Sequence, residues 1–156
     1  MSHLITKKKE ARYARILHQM EDLLKKPGTF DSRMATIVAL LHHKMEYFFW
    51  TGFYFLTDDD LTVKTYQGPV ACQLLERDKG VCWAAVNQQK TLIVPDVHKF
   101  PGHIACDSRS LSEIVIPVFN PEGKVVGVLD VDSKELSSFD EIDAFNLEKI
   151  VKLLFI

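Results

Sequence analysis

The sequence predicts an α+β domain in which an antiparallel sheet is flanked by an N-terminal αα-hairpin and a C-terminal helix. Two patterns carry this expectation. Apolar residues recur with the helical period at both ends of the chain, whereas the middle is filled by alternating, β-branched and aromatic runs joined by short turns. Strands linked by hairpins, with helices gathered at the ends, make an α+β architecture. With no internal repeat and no low-complexity linker in 156 residues, the chain reads as one domain, residues 1–156.

The elements follow in order. Tyr13, Ile16/Leu17, Met20 and Leu23/Leu24 mark one face of a first helix, which ends at Pro27-Gly28 after Lys25 and Lys26. Asp31 or Ser32 is expected to cap a second, with its stripe at Met34, Ile37/Val38 and Leu41. The run "YFFWTGFYFL", the turn "DDD" and "LTVKTYQ" read as a β-hairpin. A short helix is expected at "VCWAAVNQQ", a strand at "TLIVPD" and a long loop over residues 97–110. "EIVIPVF", the turn "NPEGK" and "VVGVLDVDS" form a second hairpin. The amphipathic "SFDEIDAFNLEKIVKLLF", with Phe139 ahead of an acidic first turn, closes the chain as a helix.

Composition narrows the function classes. Apolar residues at 47% and charged residues at 26% describe an ordinary globular protein able to bury a core. A net charge of −2 argues against nucleic acid or an anionic membrane surface as the main partner, since both demand a basic footprint. The run Lys7-Lys8-Lys9 is the solvated start of a helix. No stretch has the length and apolarity of a signal peptide or a membrane span, so the protein is expected in the cytoplasm. Three cysteines in a reducing compartment point away from a structural disulfide framework and toward free thiols, a metal site or redox chemistry.

The stretch "FPGHIACDSRS" sets Cys106 in an aperiodic, polar segment, although thiols kept for packing belong among apolar neighbours. Loops longer than about 12 residues are uncommon in compact domains and are usually functional or disordered. Cys72 follows a turn in "GPVAC", and Cys82, beside Trp83 and Ala84, has the surroundings of a packed core thiol. Zinc held by His98, His103 and Cys106 with a further thiol is disfavoured, because no C-x-x-C or H-x-x-x-H knuckle is present; no metal is expected. Redox chemistry suits the pattern better: an exposed thiolate oxidised to sulfenic acid needs a second thiol within reach. A second constellation lies in "LDVDS", where strand alternation puts Asp130 and Asp132 on one face. Paired carboxylates there either bind a cation or raise one another's pKa, and Glu113 begins the partner strand.

Taken together, "WTGFYF", "GPVACQLLERDKGVCWAAVNQQKTLIVPDVHKFPGHIACDSRSLSEIVIPVF" and "GVLDVDS...FDEID" strongly resemble the free methionine-(R)-sulfoxide reductases, single-domain enzymes with a GAF fold. The resemblance is densest from Trp50 to Asp132. It implies that Cys106 is the catalytic thiol, that Cys72 resolves it, and that Cys82 is a third thiol that assists or relays the disulfide. It implies that Trp50 and Tyr54 form the pocket wall and that Glu113, Asp130 and Asp132 form its acidic side. The expected activity is reduction of free methionine-(R)-sulfoxide with no cofactor, through a disulfide recycled by a thioredoxin-type reductant; a homodimer is left open. Two competitors are a non-catalytic GAF sensor of a small molecule, which needs no set of three thiols, and a thiol redox sensor, which would form its disulfide with peroxide.

Overall fold

The computed structural model describes residues 2–103 and 106–156. Ile104 and Ala105, within "HIACDS", lie outside the described residues. Two helices open the chain, α1 (His3–Leu24) and α2 (Phe30–Lys44). Strands β1 (Trp50–Thr57), β2 (Asp60–Gln67) and β3 (Leu74–Leu75) precede α3 (Gly80–Gln88) and β4 (Leu92–Val94). The chain ends with β5 (Ser112–Phe119), β6 (Val125–Ser133) and α4 (Glu141–Val151). The six strands form one antiparallel sheet in the order β3-β2-β1-β6-β5-β4. The fold is the α+β arrangement that the two periodicities imply.

Three details differ from the expectation. The second helix is capped by Thr29, not Asp31 or Ser32: the Thr29 hydroxyl accepts from the Ser32 amide at 3.1 Å and the Ser32 hydroxyl accepts from the Thr29 amide at 2.7 Å. Ser32 thus belongs to a reciprocal capping box rather than standing outside the helix. The last helix starts only at Glu141, because the Asp140 carboxylate caps the amides of Ile142 and Asp143. β3, which no alternation in the sequence marks, is a two-residue strand held between β2 and the indole of Trp83, whose N–H donates to the Leu75 carbonyl at 3.4 Å.

Each face of the sheet has its own apolar layer. Phe53, Ile114, Ile116, Leu129 and Val131 point to one side and pack with Tyr13, Met20, Ile37, Leu41 and Leu147 from α1, α2 and α4. Trp50, Tyr54, Val115 and Val128 point to the other and pack with Val81, Cys82, Trp83 and Ala85 of α3. Because side chains alternate with period two, the register that buries Leu129 and Val131 under the long helices sends Asp130 and Asp132 to the α3 side. That side, only partly covered by α3, holds the candidate site.

A buried polar network joins the long helices. Asp143 accepts from Tyr13 at 2.6 Å and from Tyr47 at 2.5 Å, and Lys9 reaches it at 2.7 Å. The carboxylate of a helix first turn is thereby held by α1 and by the chain leading into β1, with all its bonding capacity met.

Candidate functional site

Strand pairing brings the predicted residues together. On β1 and β6, Trp50 is opposite Asp132, Gly52 opposite Asp130 and Tyr54 opposite Val128. On β5, Glu113 is opposite Asp132 and Val115 opposite Asp130. Three carboxyl groups and two aromatic rings therefore share one patch of sheet. Trp50, Tyr54, Cys82, Cys106, Glu113, Asp130 and Asp132 all line one pocket that opens to solvent. Cys72 lies behind its wall, disulfide-bonded to Cys106 with the Cα atoms 5.7 Å apart across 34 positions of sequence.

The aromatic wall is built with little freedom. The Trp50 indole is stacked between Tyr66 and Tyr54, at centroid distances of 5.2 and 5.7 Å, and its N–H donates to the Pro69 carbonyl at 3.0 Å. The Tyr54 hydroxyl donates to the Cys72 carbonyl at 3.3 Å, tying the wall to the thiol-bearing segment. Gly52 makes room for the indole, since a Cβ there would lie 2.6 Å from the Trp50 ring and 2.3 Å from Tyr66 Cβ. Sequence reading missed Gly52 and Tyr66. The only signal was a residue without a side chain two places after a tryptophan on the same strand face.

The acidic side is buried. Glu113 and Asp130 are 5% and 6% exposed, and one ligand-type atom from each of Cys82, Glu113 and Asp130 lies within 4.8 Å of the others. Burial, followed by the charges of Asp130 and Asp132, pushes the Glu113 carboxyl well up from its ordinary value; burial and then Asp130 do the same to Asp132. Asp130 is also raised by burial, but hydrogen bonding with Glu113 and Cys82 opposes that rise. The three carboxyls thus titrate as one coupled cluster, in which hydrogen bonding favours the charged form of Asp130 and Asp132 but not of Glu113. Cys82 is free and buried, and burial together with the Asp130 charge pushes its thiol up, so it is a neutral thiol at ordinary pH.

The loop is organised around Cys106. Its ends are tied where the Val97 amide donates to the Leu111 carbonyl at 2.9 Å, and a short 3₁₀ turn occupies Val97–Lys99. Asp107 caps the Arg109 amide at 2.9 Å and grips its guanidinium at 2.7 and 2.9 Å, while that guanidinium lies 4.9 Å over the Phe49 ring of the pocket wall. Cys106 itself is exposed. With Cys106 in the disulfide, the histidine-based zinc set considered from sequence lacks its thiolate.

A pocket with one cysteine of a disulfide in its lining, and with aromatic rings and acids side by side, is set on one face of this sheet, and the GAF-domain family profile matches residues 29–154. The chain belongs to the GAF-domain family. Within it, the chain is a member of the free methionine-R-sulfoxide reductases, an oxidoreductase family. It is 37% identical over 142 residues to the free methionine-R-sulfoxide reductase of Escherichia coli, covering 91% of this chain and 86% of that protein. It is 49% identical over 147 residues to GAF domain-containing protein A of Dictyostelium discoideum, covering 94% and 92%. Among solved structures, the free methionine-R-sulfoxide reductase of Neisseria meningitidis in complex with its substrate superposes with a TM-score of 0.89 at 39% identity, covering 94% of this chain and 87% of that one.

Proposed function

We propose that this enzyme reduces free L-methionine-(R)-sulfoxide to L-methionine with Cys106 as the nucleophile, Cys72 as the resolving thiol and a thioredoxin-type dithiol as the reductant. The observation that carries the reading is the Cys72–Cys106 disulfide beside a pocket in which stacked aromatics and buried acids share one patch of sheet. Each part answers a part of the substrate. Asp130, carrying the cluster's charge in a site of low dielectric, pairs with the substrate ammonium. The methyl group rests against Trp50 and Tyr54. A pocket that holds both ends presents one face of the sulfur to Cys106 and so selects one diastereomer.

The reaction runs as two thiol steps. The Cys106 thiolate attacks the sulfoxide sulfur while Glu113 delivers its proton to the sulfoxide oxygen. The hydroxyl then moves from the substrate sulfur to the Cys106 sulfur as the transient bond between the two sulfurs breaks, leaving Cys106 as a sulfenic acid and releasing methionine as the reduced thioether. The Cys72 thiolate then attacks the Cys106 sulfur, expelling the oxygen as water and forming the disulfide, which an external dithiol opens by exchange. Asp132, hydrogen-bonded to Glu113, returns the proton it spends. Cys82 sits under the acids as a packed thiol that keeps water from them. A reducing cytoplasm is the compartment where such a disulfide is recycled.

Methionine release from each diastereomer, measured with a thioredoxin system, tests the substrate assignment. Turnover of the (R) form alone is expected, with little on peptide-bound sulfoxide, whose amide replaces the ammonium. Equal rates on both diastereomers, or good activity on an oxidised peptide, would contradict it.

A further inference from the structure

We propose that Cys82, Glu113 and Asp130 form a binding site for a thiophilic divalent cation of the chemistry of Zn²⁺. Three rigid elements bring them together: the thiol comes from α3 and the two carboxylates from the adjoining strands β5 and β6. One donor atom of each lies within 4.8 Å of the other two, and all three residues are buried. Zinc sits about 2.3 Å from thiolate sulfur and about 2.0–2.2 Å from carboxylate oxygen, which places neighbouring ligands roughly 3.3–3.5 Å apart in a tetrahedron. The donor atoms must therefore draw together by up to roughly 1.5 Å, through the torsions of the three side chains.

A second observation points to a ligand. Asp130 is 6% exposed, and although its carboxylate is hydrogen-bonded with Glu113 and Cys82, its Oδ1 is buried with no hydrogen-bond partner among the described residues. Unpartnered buried oxygens of this kind are uncommon and costly. The cationic side chain in the pocket lining, Lys79, is engaged by Glu76 at 2.7 Å. A soft thiolate in the set favours zinc over magnesium or calcium, which call for six or more oxygens. Three protein ligands with a fourth position facing an open pocket complete the tetrahedron. Binding replaces the Cys82 thiol proton and the Glu113 carboxyl proton, both of which pass to solvent.

The cation stands where the substrate ammonium is proposed to stand, so its binding blocks the pocket; that consequence rests on the proposed function, whereas cation binding itself does not. The test uses the disulfide form, in which Cys72 and Cys106 cannot ligate and Cys82 is the free thiol. Titration with Co²⁺ is expected to give one equivalent bound, with a near-ultraviolet thiolate-to-cobalt charge-transfer band that Zn²⁺ abolishes and Mg²⁺ does not. Cys82→Ser should lose the band. Asp130→Asn, which keeps the thiol and serves if the first variant does not fold, should bind Co²⁺ more weakly by over about tenfold. No thiolate band at saturating Co²⁺, or a band unchanged in both variants, would overturn the site. Zn²⁺ should also inhibit turnover competitively with methionine sulfoxide; a cobalt band without competition would leave the cation site standing and overturn the ammonium assignment instead.

Discussion

Glu113 and Asp130 are neighbours in one acidic cluster, yet hydrogen bonding favours the charged form of Asp130 alone of the two. Burial raises both carboxyls; the charges beside it push Glu113 further up, whereas hydrogen bonding with Glu113 and Cys82 opposes the rise at Asp130, and the proposed function accordingly takes Glu113 as the acid and Asp130 as the charged partner. Their amide variants should therefore fail differently. Glu113→Gln removes the proton donor and is expected to lower kcat by about 10²–10⁴-fold with little change in KM. Asp130→Asn removes a charge-assisted bond worth about 1.5–3 kcal/mol and should chiefly raise KM. Steady-state kinetics on the (R)-sulfoxide separates the two. Stability carries the same signature with a definite sign. The folded-state pKa of Glu113 lies above its ordinary value of 4.5, so the folded protein binds the extra proton and stability falls as pH rises from there through the raised native value. Glu113→Gln abolishes that loss. Thermal melts across pH should show the variant more stable than the parent at neutral pH, and no more stable near pH 4; a parallel offset at every pH would contradict the assignment. Gly52→Ala tests the aromatic wall, because its Cβ would strike the Trp50 ring. It is expected to raise KM through a displaced indole, read as altered tryptophan fluorescence in a folded protein.

Among the elements, the link between α1 and α4 is tested through Asp143. Asp143→Ala leaves two tyrosine hydroxyls without their acceptor and takes from Lys9, 8% exposed at its side chain, the nearer of its two carboxylates, Asp140 remaining at 3.3 Å. Losing one partner of a buried ion pair costs about 3–5 kcal/mol, so denaturant unfolding should show a loss of that size. Thr29→Ala, which opens the capping box of α2, should cost about 0.5–2 kcal/mol. These elements also show what the sequence made legible. The long helices, both hairpins and the shared face of Asp130 and Asp132 follow from periodicity, which is a local property. Thr29 was missed because Asp31 and Ser32 are equally good caps by type and only hydrogen-bond geometry separates them. β3 was missed because two residues carry no period and the strand depends on a distant indole, that of Trp83. The approach of Cys82 to Glu113 and Asp130 was invisible for the same reason: α3 crosses to the sheet from 31 positions before Glu113, and nothing local encodes where it lands. The Cys72–Cys106 pairing could be expected from the family resemblance, but not from spacing.

For the whole molecule, the fold supplies two parts separately: a sheet face that carries the aromatic and acidic residues of the proposed substrate pocket, and a loop tied at Val97 and Leu111 that carries Cys106, the proposed nucleophile. Cys106→Ser should abolish even a single turnover, because a hydroxyl cannot replace a thiolate at sulfoxide sulfur. Cys72→Ser should release about one methionine per chain, leave a trappable sulfenic acid on Cys106, and then stall with a dithiol reductant. Cys82→Ser should be the mildest of the three. The most direct measurement mixes pre-reduced, chelator-treated protein with free methionine-(R)-sulfoxide and no reductant, then determines methionine released and the cysteine pairing by mass spectrometry of unreduced peptides. The account predicts one methionine per chain with Cys72 and Cys106 joined and Cys82 still free. No methionine, or methionine formed while Cys72 and Cys106 both remain thiols, would contradict it.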